Sequence, residues 1–274
     1  MRFFAPARAA IDAAVFARPP LSLWNEYADL LRGDWPDLAA LNARWCDETV
    51  HFVAQTPELL ADGMHYEQRI FARGEIATRE RNWHDLLNAL VWLRHPRLKR
   101  ALNARQVREI AKTGPKCRTR AQCALTHFDE AGIVVALRDP ALLALWDLHD
   151  WPGLFWRERA AWSDGRIEAI VFGHALLEHA LSPAQMLTGK ALAVVLPQKA
   201  NVENALDATV QAIRDGHALN DPQELRPLPL SGIPGWHADS GAEDFHRKAA
   251  CFRPLRAGRM YPAPLGNSGL HPHI

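Results

Sequence analysis

Three short stretches carry most of the side chains that could do chemistry. In Asn82-Trp83-His84-Asp85-Leu86-Leu87-Asn88, His84 and Asn88 stand four residues apart and share a face if the stretch is helical. Asn82 suits the N-cap, and Asp85 falls in the first turn, where a carboxylate complements the helix dipole. A histidine near a helix N-terminus stays neutral near pH 7 and can serve as a base or a ligand. In Phe128-Asp129-Glu130-Ala131-Gly132, two adjacent carboxylates can act as a base or hold a cation, although Asp and Gly are also what turns use. In Phe172-Gly173-His174-Ala175-Leu176-Leu177-Glu178, His174 follows a strand-like run at a helix start, and Glu178 lies one turn on. Together with His84 they offer three ligands, the number a catalytic zinc takes before water completes it. A helix cap, a turn and a local His–Glu contact account for the same residues structurally.

Signatures of other chemistries are absent: the chain has no GxGxxG, P-loop, GxSxG or HExxH. Cys46, Cys117, Cys123 and Cys251 form no CxxC pair, and their scatter fits a reduced cytosol better than a disulfide framework. The longest apolar runs, Ile133–Leu137 and Ala191–Leu196, are strand-sized and far from the roughly 18 residues of a membrane span. The N-terminal stretch has early arginines, but Asp12 interrupts it where a secretory segment would be apolar. The expectation is a cytoplasmic protein with no membrane partner.

A net charge of +1 conceals an asymmetry. Residues 69–120 hold 14 basic and 4 acidic side chains, a local charge of +10, against −9 for the remainder. Such a segment either attracts an anion or docks its cations on the acidic body. Single-strand nucleic-acid binding would need interleaved aromatics; Trp83 and Trp92 fall here but at core-facing helix positions.

The elements that must position these residues follow from periodicity. Trp83, Leu86, Leu87, Leu90 and Leu93 have helical spacing over 83–94. His95-Pro96 interrupts that helix, and a basic helix runs on to about Lys112. Residues 36–49 read as a helix with Asp34 or Trp35 near its cap, and 50–54 and 65–72 as short strands. Residues 123–128 and 133–137 flank Asp129-Glu130-Ala131-Gly132 as a β-hairpin. Helices are expected from Pro140 through His149 and over 153–162. A strand at 167–172, a helix at 173–181 and a strand at 191–196 form either a parallel crossover or an antiparallel return. Residues 202–215 form an amphipathic helix closed by Gly216.

At 274 residues, with 48% hydrophobic and 23% charged side chains, the chain is globular rather than disordered. Helices and strands mix without strict alternation, so the class is α+β. The expected architecture is a single helix-rich domain over 1–256 with a small mixed or antiparallel sheet. Ten Trp pack its helices, and from Pro222 an irregular Pro/Gly-rich C-terminal strap crosses the body. Residues 257–274 are expected to form a loosely ordered tail.

The segments Asn82–Trp92, Ala124–Gly132 and Phe172–Glu178, with Leu228–Trp236 and Phe252–Pro254, resemble a proteobacterial domain-of-unknown-function family catalogued as DUF 3025. The resemblance spans roughly residues 35–256. It implies a single-domain bacterial protein and no particular activity. His127 stands where the family is expected to carry an aliphatic residue and His95 where it is expected to carry an aromatic, so these two, and His179, are poor candidates for any shared chemistry. His84, Asp85, Asn88, Asp129, Glu130, His174 and Glu178 lie inside matching motifs.

The expected function is an enzyme with a pocket built from His84, Asp129, Glu130, His174 and Glu178, with Asn88, Arg79 and Arg81 binding substrate. Hydrolase-like acid–base chemistry, or metal-assisted chemistry with a divalent ion such as zinc, on a small anionic substrate fits these groups. The rival is a non-catalytic protein that binds nucleic acid or an acidic partner through residues 69–120. One distance separates them: an enzyme site requires His84 and His174 within about 8 Å of each other at an open pocket. A site role also expects the His174 imidazole to face a cavity and carry little packing.

Overall fold

The computed structural model describes residues 3–45, 49–114 and 117–266; Cys46, Lys116 and the end of the expected tail lie outside the described residues. The chain folds as an α+β domain around a four-stranded mixed sheet. The strands are β3 (Gly132–Leu137), β4 (Ile167–Val171), β5 (Thr188–Val195) and β6 (Arg226–Pro229), in the order β4-β3-β5-β6. β3 reads Gly-Ile-Val-Val-Ala-Leu and is buried throughout, as a central strand covered on both faces must be. It pairs antiparallel with β4, Ile133 opposite Val171, and parallel with β5, Val134 opposite Leu192. The strand–helix–strand unit is thus an antiparallel return that straddles β3. A separate parallel pair, β1 (His51–Ala54) and β2 (Glu75–Thr78), lies apart from this sheet.

Helices α1 (Tyr66–Arg73), α2 (Trp83–Arg94), α3 (Pro96–Thr113), α4 (Arg120–Ala131), α5 (His174–His179) and α6 (Val202–Asp215) position the site. α2 and α3 start as the residues dictate. The Asn82 side chain accepts the Asp85 N–H at 3.1 Å, and Pro96 occupies the first turn of α3, where no N–H is needed. α3 is the central post, packed against α1, α2, α4 and α6.

Three expectations are corrected. Residues 65–72 form helix α1 rather than a strand: His65 caps its start through Nδ1, and Gly74 ends it at φ +69°. Residues 120–131 form one helix, α4, that runs straight into β3, so Asp129 and Glu130 sit in a last helical turn and no hairpin exists. A reciprocal Thr119–Gln122 capping box starts it, and Ala121, Ala124, Leu125 and Phe128 form its buried stripe. The helix expected over 36–49 is confined to Leu38–Asn42 and capped by Asp37.

Residues near both ends of the described region are tied to the domain. The Arg8 guanidinium lies over the Trp35 and Trp83 rings, 4.5 and 4.7 Å from their centroids, and donates to the Leu30 and Gly33 carbonyls. The strap supplies β6, whose buried Arg226 pairs with Asp147 and donates to the Pro262 carbonyl. Residues 257–266, expected in the tail, lie against the domain, with Leu265 bridging Val194 of β5.

Candidate functional site

Two glycines bring the motifs together. Gly173, between β4 and α5, lies so close to Gly132 that any side chain would strike the Gly132 nitrogen and the Ala131 backbone. The Phe172 and Gly173 N–H groups both donate to the Gly132 carbonyl, at 3.1 and 3.0 Å. The β4–α5 junction is therefore tied to the α4–β3 junction, and Asp129 is carried against His174. α5 also packs on α2, whose first turn presents His84 to α5.

The result is a chain of polar groups running inward from the surface. His84 Nδ1 is 2.9 Å from Glu178 Oε2, and His84 Nε2 is 3.1 Å from His174 Nε2, with the rings nearly perpendicular. His174 Nδ1 has no hydrogen-bond partner and lies 3.8 Å from Asp129 Oδ2. The other Asp129 oxygen accepts from Lys99 Nζ at 2.5 Å. Lys99 also donates to Asn88 Oδ1 at 2.9 Å, and Asn88 Nδ2 donates to the Tyr66 hydroxyl at 3.1 Å. His84 is about one-third exposed, whereas His174 and Lys99 are buried.

His174, Asp129 and Lys99 line a cavity of about 300 Å³ with Tyr66, Glu67 and Trp92. Asn103 Nδ2 donates to Glu67 Oε2 at 2.6 Å. The indole N–H of Trp92 has no protein partner.

Burial sets the protonation states. It lowers the His174 pKa to about 3, so the imidazole is neutral. Glu178, hydrogen-bonded to His84, raises that histidine above its ordinary value despite partial burial. Burial alone would raise Asp129, but the charge of Lys99, together with the Lys99 hydrogen bond, holds it below the usual carboxylate range. Glu67 has no such cation in contact, and burial raises it to about 7.

Of the residues singled out from sequence, His84, His174, Glu178, Asp129 and Asn88 are brought together, while three others are not. Glu130 is exposed at the cavity rim. Arg79 is held by Asp85 in a two-pronged pair, through Nε at 3.0 Å and Nη2 at 2.8 Å. Exposed Arg81 does not line the cavity either. Neither Arg79 nor Arg81, expected to bind substrate, lines this cavity. His174 faces the cavity but is buried and hydrogen-bonded, contrary to the light packing expected of it.

The zinc set is corrected as well. Glu178 and His174 hold opposite ring nitrogens of His84, so the three groups do not converge on one point. Among the described residues, no group of three or more His, Cys, Asp and Glu is arranged to hold a metal.

Lys99, Asn103, Tyr66 and Glu67 were missed. Lys99, Asn103 and Gln106 recur at i, i+4 and i+7 inside the apolar stripe of α3, a pattern of buried polar groups visible in the sequence. The surplus charge of the segment masked it. That charge is largely satisfied internally: Arg69 and Arg73 pair with Asp62, Arg94 with Glu26, Arg97 with Asp207 and Arg120 with Asp221. Arg105 pairs with Glu109, Arg108 donates to the Arg214 carbonyl, and Arg100 donates to the Thr49 hydroxyl. Among the described residues, no helix is long and apolar enough to cross a membrane.

A family model described as a protein of unknown function, DUF3025, matches residues 50–256 and so contains every residue of the polar chain. No curated protein and no solved structure matches.

Proposed function

The chain belongs to the DUF3025 family, whose description carries no activity, and from the site itself we propose a cytoplasmic enzyme doing hydrolase-like acid–base chemistry on a small anionic substrate. The observation that carries this reading is a neutral, buried His174 on the cavity, whose Nε2 touches His84 while Nδ1 makes no side-chain hydrogen bond and lies 3.8 Å from Asp129 Oδ2. A buried nitrogen without a partner costs stability unless a ligand completes it, and such groups gather at functional sites.

The mechanism follows from the hydrogen bonds. With His84 protonated and held by Glu178, its Nε2–H donates to His174 Nε2, which leaves the His174 proton on Nδ1, on the side of Asp129. His174 gives that proton to substrate and takes one from His84, so charge moves by relay. Glu178 holds the orientation of His84 and stabilises its imidazolium. Asp129, kept ionised by Lys99, is the base on the cavity wall. Lys99, Arg118 and the Trp92 N–H supply donors for an anionic substrate. The one lining hydroxyl besides Tyr66, that of Thr126, donates to the Gln122 carbonyl, so no activated serine-type nucleophile is present among these groups.

The test is consumption of a library of small metabolites by wild type and His174→Gln, followed by mass spectrometry. Any compound turned over by the wild type should be consumed about a hundredfold more slowly by the variant, the range for losing a general acid–base group. Glu178→Gln should slow the same compound less, since it acts through His84. Equal rates for wild type and a folded His174→Gln would overturn the reading.

A further inference from the structure

We infer that Lys99 is a nucleophile that forms an imine with the carbonyl group of a small 2-oxo acid bound in the cavity. This rests on the acid–base reading above and names its substrate class.

Lysine is the rarer cation in this chain. Only six of the 32 Lys and Arg side chains are Lys. Four cations are buried among the described residues: Arg69, Lys99, Arg105 and Arg226. For holding a carboxylate from a buried position, Arg is the better residue, being planar, forked and permanently charged, and each of the three buried arginines pairs with one. The buried cation on the cavity is the one residue of the four that can give up its proton and attack carbon.

Its Nζ is set among groups that can hold and move a proton. Asp129 at 2.5 Å is the carboxylate placed to take a proton from the ammonium as substrate arrives, and its other oxygen lies 3.8 Å from His174 Nδ1, whose N–H then stabilises the ionised form between turnovers. That separation is of the loose kind that tightens on ligand binding. Asn88 fixes the amine from a second side, and the Trp92 ring lies beside it, 5.4 Å from centroid to Nζ. One helical turn along α3, Asn103 holds the Glu67 carboxyl on the same cavity. Burial keeps that carboxyl protonated to near neutral pH, which suits it to donate a proton.

The step balances with these groups alone. The neutral Lys99 amine attacks the carbonyl carbon and the C=O π pair moves to oxygen. A proton then passes from nitrogen to oxygen, giving a carbinolamine. Glu67 protonates the hydroxyl, which leaves as water while the nitrogen lone pair closes the C=N bond. The products are a protonated imine, one water and a Glu67 carboxylate, which is reprotonated from solvent. Arg118, also on the cavity, complements the substrate carboxylate.

The test is reductive trapping on the full chain. Protein incubated with pyruvate, and separately with glyoxylate, is treated with sodium borohydride and mapped by peptide mass spectrometry. The expected result is one reduced adduct on the Lys99 peptide, formed about tenfold faster than on exposed Lys112, Lys190, Lys199 or Lys248, because the cavity holds the carbonyl group beside this amine. Lys99→Arg, which keeps the charge beside Asp129, should abolish it, and His174→Gln should slow it. Labelling confined to the exposed lysines, or none with either probe, overturns the inference on wild-type protein alone, whether or not the variant folds. Turnover that depends on His174 but survives in Lys99→Arg would also overturn it, while leaving the acid–base reading intact.

Discussion

His174 and Glu67 face one cavity, and burial drives their pKa values in opposite directions because it disfavours charge on both. The consequence for stability differs in sign. Glu67, raised from 4.5 to about 7, binds more protons folded than unfolded across that window. Its contribution is therefore full below about pH 4.5 and is lost as pH rises through about 7. His174, lowered from 6.5 to about 3, contributes fully above about pH 6.5 and loses its contribution as pH falls toward 3. Glu67→Gln removes only the first effect. Relative to wild type, the variant should gain stability between pH 4.5 and 7 and plateau above, by up to about 3 kcal/mol, the linkage value of that shift. Urea unfolding at a series of pH values checks this, and parallel curves for the two proteins would show that Glu67 does not titrate as its burial requires.

At the scale of elements, the site depends on two junctions meeting at Gly132 and Gly173. Adding a methyl at Gly173 has no room, since its neighbours there are backbone atoms that cannot swing aside. Gly173→Ala should cost roughly 1–3 kcal/mol by overpacking. That corresponds to a melting temperature lower by roughly 2–12 °C in a chain of this size. It should also part His174 from Asp129, and Asp129→Asn should then destabilise the variant less than it does the wild type. Additive losses in that cycle would mean the junction does not position the pair. How far these elements were legible depended on how local their signals are. α2 could be read because its cap and apolar stripe both lie within its own residues. α4 could not, because Asp129, Glu130 and Gly132 look like a turn, while its true start is the Thr119–Gln122 capping box several residues earlier. α1 was lost in the same way, its cap being a histidine rather than Ser, Thr, Asp or Asn. The His84–His174 approach was expressible only as a distance to be measured, since 90 residues and two junctions separate the partners.

For the molecule as a whole, the decisive question is what the surplus of basic charge in residues 69–120 does. A polyanion binder presents cations to solvent, and each phosphate neutralised steepens the fall of affinity with salt. In this fold the same cations reach acids that lie outside the segment in sequence: Asp62, Glu26, Asp207, Asp129 and Asp221. Part of the +10 segment is thus held against the −9 remainder across the interfaces of α1, α2, α3 and α4 with the rest of the chain. Exposed pairs of this kind add little stability each, but they leave little net field for a polyanion to follow. The protein should therefore elute from immobilised heparin at or below about 0.1 M salt, where the Debye length is still about 10 Å and any unpaired patch would be felt. Breaking one pair from the acidic side supplies the contrast: Asp207→Asn frees Arg97 without touching the cavity, and should raise heparin retention slightly while leaving turnover unchanged. Strong retention of the wild type, with a steep dependence on salt, would instead give the basic segment a polyanionic partner and return the binding reading to first place.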